Sequence, residues 1–167
     1  MHNSGIKYKG EVTIKVKGKP PVKSSNTGTI DLFVAVCSIL GRKYNNLNDV
    51  FLNTPAYMKI KKVDSEEYVT LSRMPIITRD VIQLDNNTCT VTLSALVSAT
   101  NIATLTVEGD SMSPYKVELF GGDDKLYAHS EIEYNIENFI KDSYAQATIS
   151  WDMTFSNAAN DTTTQEE

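Results

Sequence analysis

The chain has 167 residues, 41% hydrophobic and 22% charged, a composition that excludes wholesale disorder, collagen and coiled coil and lets roughly 70% of the unfolded surface be buried in one core. Two cysteines, Cys37 and Cys89, no charged-then-apolar opening segment and no apolar run longer than about half a bilayer span predict a chain made in a reducing cytoplasm, with free thiols and no membrane partner. The formal charge of −5 conceals a split, because residues 1–79 carry a net +7 and residues 80–167 a net −12.

Tyr8, Val12, Ile14 and Val16 alternate with Lys9, Glu11, Thr13, Lys15 and Lys17, which predicts a strand. Gly18-Lys19-Pro20-Pro21 forces a turn, since proline gives no ladder donor and glycine tolerates unusual dihedrals; Val22-Lys23 then returns as a short second strand. Thr29 as N-cap, Asp31 in the first turn and Gly41 after Leu40 delimit a helix over 29–41. Ile30, Leu32, Phe33, Val34, Val36, Cys37, Ile39 and Leu40 cover nearly its whole circumference, so this helix is either wrapped on several sides or meets another subunit. The stretch 44–49 is polar and turn-prone and reads as a loop.

From Pro55 onward every predicted element is extended. Strands are predicted over 57–63 and 68–72, a hairpin over 76–84 and 88–97 turning at Asp85-Asn86-Asn87, and a short strand over 102–107. A second hairpin joins 115–120 to 125–133 through Gly121-Gly122-Asp123-Asp124, and a last strand covers 144–155. In the strand at 88–97, Cys89, Val91, Leu93, Ala95 and Val97 share one face. In the last strand Ala145, Ala147, Ile149, Trp151, Met153 and Phe155 do so, and its length suits a central position. A single domain over 1–156 is expected, followed by a flexible acidic tail over 157–167 that lacks large apolar side chains.

No G-x-S-x-G, P-loop, H-E-x-x-H, paired C-x-x-C or dinucleotide glycine motif occurs, so no catalytic residue is assigned. His129 shares a strand face with Tyr127, Glu131 and Glu133 and reads as solvent-facing, not as an acid–base catalyst. Cys37 and Cys89 stand among apolar residues without a neighbouring histidine and read as buried structural thiols. Asp123 and Asp124, with Asp110 and Asp85, are the loop carboxylates available to calcium; a tight turn demands the same residues, and no metal or cofactor is expected. Trp151 alternates inward with Ile149 and Met153 and belongs to the core. Tyr44, Tyr57, Tyr68, Tyr115, Tyr127, Tyr134 and Tyr144 supply the candidates for surface tyrosines, which keep a carbohydrate-binding module as the alternative from another class.

Lys7, Lys9, Lys15, Lys17, Lys19 and Lys23 crowd the first 24 residues, opposed only by Glu11. A basic arm is a common nucleic-acid signature, but an acidic chain with few arginines and no aromatic platform among the lysines does not fit one. The lysines therefore either guard an exposed sheet edge or steer one subunit toward the acidic surface of the next, an association that salt should loosen.

The Lys-rich opening strand, the segment Asn26-Thr27-Gly28-Thr29-Ile30-Asp31-Leu32-Phe33 entering an apolar helix that ends Leu40-Gly41-Arg42, the later Thr54-Pro55-Ala56-Tyr57-Met58 and the terminal Ile149-Ser150-Trp151-Asp152-Met153-Thr154-Phe155-Ser156-Asn157 together resemble small β-sandwich virion proteins of tailed bacteriophages. The resemblance runs over most of the chain and rests on structural motifs. It implies a ring, collar, tail-adaptor, connector, head-fibre or capsid-decoration subunit present in many copies in a virion, with no functional residue to carry over. Sequence and resemblance together predict an antiparallel β-sandwich with one helix (29–41) placed after the N-terminal hairpin, across an edge or open end. The predicted function is assembly with copies of itself and other virion proteins, without a small-molecule substrate. Its candidate interface residues are Lys7, Lys9, Lys15, Lys17, Lys19, Lys23 and Phe33.

Overall fold

The computed structural model describes residues 6–16, 18–41, 46–70, 73–97, 113–134 and 147–157. Among them run eight strands, β1 (Ile6–Val16), β2 (Val22–Gly28), β3 (Pro55–Lys62), β4 (Met74–Gln83), β5 (Thr88–Val97), β6 (Ser113–Gly121), β7 (Leu126–Tyr134) and β8 (Ala147–Asn157). Two helices, α1 (Ile30–Leu40) and α2 (Leu47–Leu52), are placed between β2 and β3.

All neighbouring strands are antiparallel, and they follow the order β1-β2-β7-β6-β3-β4-β5-β8, with β8 returning to β1. This is a closed barrel, not the two-sheet sandwich expected from the strand pattern. The difference rests on two narrow seams. β2 meets β7 at Thr27↔His129 and Gly28↔Ala128, and β3 meets β4 at Tyr57↔Pro75 and Met58↔Met74. Were those pairs removed, the remaining ladders would leave two sheets, β2-β1-β8-β5-β4 and β7-β6-β3. Side chains reinforce the first seam, where Ser24 Oγ donates to Glu131 O (2.5 Å) and Ser130 Oγ to Ser25 O (2.7 Å). Alternating apolar residues fill a barrel interior and a sandwich interior alike, so periodicity cannot distinguish them.

β8 is the axis of the larger group of strands. It pairs with β1 from Ile6↔Asn157 to Val16↔Ala147 and with β5 from Thr88↔Ser156 to Val97↔Ala147. Its Ala147, Ile149, Trp151 and Met153 are buried against Val12, Ile14 and Val16 of β1 and Leu93, Ala95 and Val97 of β5. Met58, Ile60, Val117, Leu119, Ala128 and Ile132 close the core from the other side.

At mid-barrel, one polar residue organises several apolar ones. The indole of Trp151 is a donor only, so the Asn26 amide is oriented with its oxygen toward Trp151 Nε1 (2.6 Å) and Glu11 N (3.1 Å) and its nitrogen toward Tyr8 Oη (2.7 Å). Gly10 lies opposite Asn26 in the ladder, and a Cβ there would stand 1.7 Å from the amide. Glycine is what leaves room for the Asn26 side chain. Burial raises the pKa of the Tyr8 hydroxyl, partly countered by the hydrogen bond with Trp151.

Several local expectations need correction. The second strand does not stop at Lys23 but continues to Gly28. The polar stretch 44–49 does not form only a loop, because Asn46 caps α2 by accepting from Asp49 N (2.9 Å). Its polar residues start a helix instead of preventing one. The strand expected over 68–72 is, in its described part, no continuous strand but isolated contacts: a bridge of Tyr68 with Lys61, a bond from Val69 N to Ile60 O (2.7 Å) and one from Ile60 N to Thr70 Oγ1 (3.3 Å). The strand predicted over 102–107, the start of the last strand at 144–146 and the tail beyond 157 lie outside the described residues, as do residues 71 and 72.

Candidate docking face and cleft at the helical end

The starts of β1, β3, β5 and β7 and the ends of β2, β4, β6 and β8 converge on one end of the barrel. Both helices sit there. Thr29, predicted as a capping side chain, makes no cap bond; its Oγ1 donates to Leu126 O (2.5 Å) and Tyr127 O (3.0 Å), fastening the start of α1 to β7. Tyr8 holds the helix from the other side, its ring edge-on to Phe33 at 5.8 Å and tilted against Phe155 at 5.7 Å. The turn after β6 anchors α2, with Gly122 N donating to Thr54 O (3.1 Å) and Asp123 N to Leu52 O (2.7 Å). Gly122 permits this approach, since a Cβ would lie 2.6 Å from Phe51 O.

α1 is wrapped on one side only. Leu32 and Ala35 are buried, whereas Ile30 and Leu40 are 74% and 79% exposed, and Phe33, Val34 and Ile39 are also exposed. Ile30, Phe33, Val34, Cys37, Ser38 and Gly41 border a shallow depression on the outer face. Cys37 is exposed there, contrary to the expectation of a buried thiol, because it falls on the helix face that the barrel does not cover. α2 adds Leu47, Phe51 and Leu52, and β4 adds Ile77, Val81, Ile82 and Leu84, all exposed. β3 pairs with β4 only near Met74 and Pro75, and among the described residues no other strand pairs with that edge of β4.

Beneath these residues a cleft of about 460 Å³ enters the end of the barrel. Leu32, Ala35, Val36 and Ile39 of α1 form one wall, Val50 and Phe51 of α2 another, and Val91, Leu93, Met153, Phe155 and Tyr127 the floor. Tyr127, expected on the outer face, is buried because the β6–β7 register shifts between Leu119↔Ala128 and Phe120↔Leu126 and turns it inward. Among the described residues Arg79 is the one charged residue of the lining. Its guanidinium donates to Ile76 O (3.5 Å) and Pro55 O (3.2 Å).

The lysines predicted as an interface do not gather at this end. Lys7, Lys9 and Lys15 are spread along exposed positions of β1, Lys19 lies in the turn at the strand's far end from Tyr8, and Lys17 is outside the described residues. Lys23 pairs with Glu11 (2.6 Å). Of the predicted set, Phe33 on α1 and Lys7, exposed at the start of β1, lie at the helical end. The +7/−12 division of the sequence is also folded out in space, because the barrel sets β1 against β8, β2 against β7 and β3 against β6. Arg73 thereby meets Asp124 (2.8 Å), and Lys61 meets the buried Glu118 (3.5 Å), which also accepts from Tyr68 Oη (2.9 Å). Burial, and then Glu118, raises the pKa of Tyr68; burial, and then Asp124, does the same for Tyr57.

The loop carboxylates are likewise engaged. Asp123 pairs with Lys125 (3.0 Å), while Asp124 takes Arg73 and the Tyr57 hydroxyl (3.1 Å); Asp110 is outside the described residues. No group of three metal-ligating side chains occurs among the described residues. Tyr57, Tyr115 and Tyr127 are buried, which removes three of the tyrosines that a sugar-binding surface required.

Phe51 and Arg79 escaped sequence reasoning. The Asn46-x-x-Asp49 pattern ahead of Val50 and Phe51 is a helix-start signal that could have found the former. Nothing local marks Arg79, whose place at a cleft depends on where β3 and α2 lie. The chain matches no protein-family model, no curated protein and no solved structure in these comparisons, so its own geometry carries the functional reading.

Proposed function

We propose that this chain is a non-enzymatic assembly subunit that docks through the helical end of its barrel onto copies of itself and neighbouring polypeptides. The observation that carries the reading is the outer face of α1. An eleven-residue helix that buries two side chains and leaves Ile30, Phe33, Val34, Ile39 and Leu40 exposed is incompletely covered by its own chain. Covering each large apolar side chain is worth roughly 1.5–3 kcal/mol, so a neighbour seated on this face gains several such contributions at once. The resemblance to tailed-phage virion proteins supplies the setting, a multi-copy virion component such as a ring, collar, connector or decoration subunit.

Light scattering across a concentration series tests this. The wild-type chain is expected to form a defined oligomer below about 1 mM, the concentration at which association is worth only about 4 kcal/mol. The V34E/L40E double variant changes exposed residues only; it should remain monomeric and melt at the temperature of the dilute, monomeric wild-type chain. Since apolar contact and not lysine steering drives the association, the oligomer should persist at about 1 M salt, where charges are screened beyond ~3 Å. A wild-type chain that is solitary at every concentration, or an oligomer indifferent to V34E/L40E, would refute the proposal.

A further inference from the structure

The cleft has a chemistry distinct from the face above it, and its occupant can be argued independently of assembly. Its walls are mainly hydrocarbon from α1, α2, β5 and β8, with Asn53, Thr54 and Tyr127 adding polar groups, and its volume of about 460 Å³ lies within the roughly 300–1,000 Å³ typical of small-molecule sites. Among the described residues one cation, Arg79, lies in the lining. The guanidinium is held by two backbone carbonyls, which orient it without neutralising it, and among the described residues no carboxylate lies within ion-pair distance of it. Arg73 differs, because Asp124 already occupies its guanidinium.

We infer that the cleft binds a single-tailed amphiphile with an anionic head, a long-chain carboxylate, with its tail between α1 and Leu93 and its carboxylate on Arg79. A guanidinium offers paired N–H donors that match a carboxylate, and a charge-assisted pair is about twice as strong as a neutral hydrogen bond. The apolar walls account for the tail and the lone cation for the sign of the head. A neutral alcohol satisfies only the first requirement, and a cationic amphiphile opposes the second.

The test is calorimetric titration of the full chain, kept dilute, with dodecanoate and dodecyltrimethylammonium below their micelle concentrations and dodecanol below its solubility limit. Methyl NMR shifts at Val36, Val91 and Leu93 would locate the ligand. Dodecanoate should saturate one site, and Arg79→Gln should weaken it roughly 10- to 100-fold while leaving dodecanol unchanged. Val36→Trp, which fills the cleft, should abolish both; melting curves confirm that each variant is folded, and Ala35→Phe serves as a second filler if Val36→Trp is not. Absence of saturable dodecanoate binding to the wild type, equal affinity for all three head groups, or a folded Arg79→Gln chain that binds dodecanoate as well as wild type would overturn the inference. So would methyl groups of the cleft that ignore dodecanoate yet shift when the chain oligomerises, which would make a neighbouring polypeptide the occupant.

Discussion

Substituting Gly10 by alanine asks how tightly the barrel centre is specified. The new methyl would stand 1.7 Å from the Asn26 amide, so the two cannot coexist and one group must give way. If Asn26 swings outward, the fully buried indole of Trp151 loses its acceptor at 2.6 Å, and an orphaned buried donor costs about 1–3 kcal/mol. If Asn26 stays, β1 must shift against β2 and β8, and overpacking of that kind also costs about 1–3 kcal/mol. With the lost Tyr8 bond included, Gly10→Ala should destabilise by about 2–4 kcal/mol, or roughly 5–15 °C in a domain of this size. Urea unfolding followed through the fluorescence of Trp151, the sole tryptophan, measures it directly. A double-mutant cycle isolates the cause. Asn26→Ala removes the acceptor and is itself costly, but it opens the space, so Gly10→Ala in that background should cost no more than about 0.5 kcal/mol. The reasoning fails if Gly10→Ala is harmless in the wild type, or if its cost is the same in both backgrounds.

Two further outcomes follow from the same geometry. Tyr8, Tyr57 and Tyr68 all have pKa values raised above 10.0 in the folded chain, so the unfolded chain loses these protons first. Stability is then fully present below about pH 10 and falls as pH rises above it; the urea midpoint should drop as pH is raised from about 10 upward, and Tyr68→Phe should flatten the drop, whereas a level wild-type profile would contradict the assignment. Cys37, exposed on the uncovered face of α1, should react rapidly with a maleimide in dilute chain and become protected in the oligomer; labelling that is equally fast in both states would place the interface elsewhere.

The period-two alternation of Val12, Ile14 and Val16, of Leu93, Ala95 and Val97, and of Ile149, Trp151 and Met153 was readable residue by residue, because a strand's side-chain period is a local property of its backbone. The helix from Ile30 to Leu40 was readable for a similar reason, and so was its nearly all-round apolar surface; that the barrel covers only one side of it was decided by the tertiary structure. Closure was not readable. It depends on four residue pairs at two seams, Thr27 and Gly28 with β7 and Tyr57 and Met58 with β4, whose partners lie far along the chain for β7 and are chosen only when the sheets curl. The same holds for Tyr127, turned inward by one register shift, and for the charges, which look segregated along the chain and are interleaved once β3 lies on β6. Arg79 became a candidate site residue only when the start of β3 and α2 were brought beside it. Local spacing thus determined most of the strands, the first helix and their apolar faces, and tertiary structure decided which faces met, because register and closure are set by contacts between residues that no local pattern links.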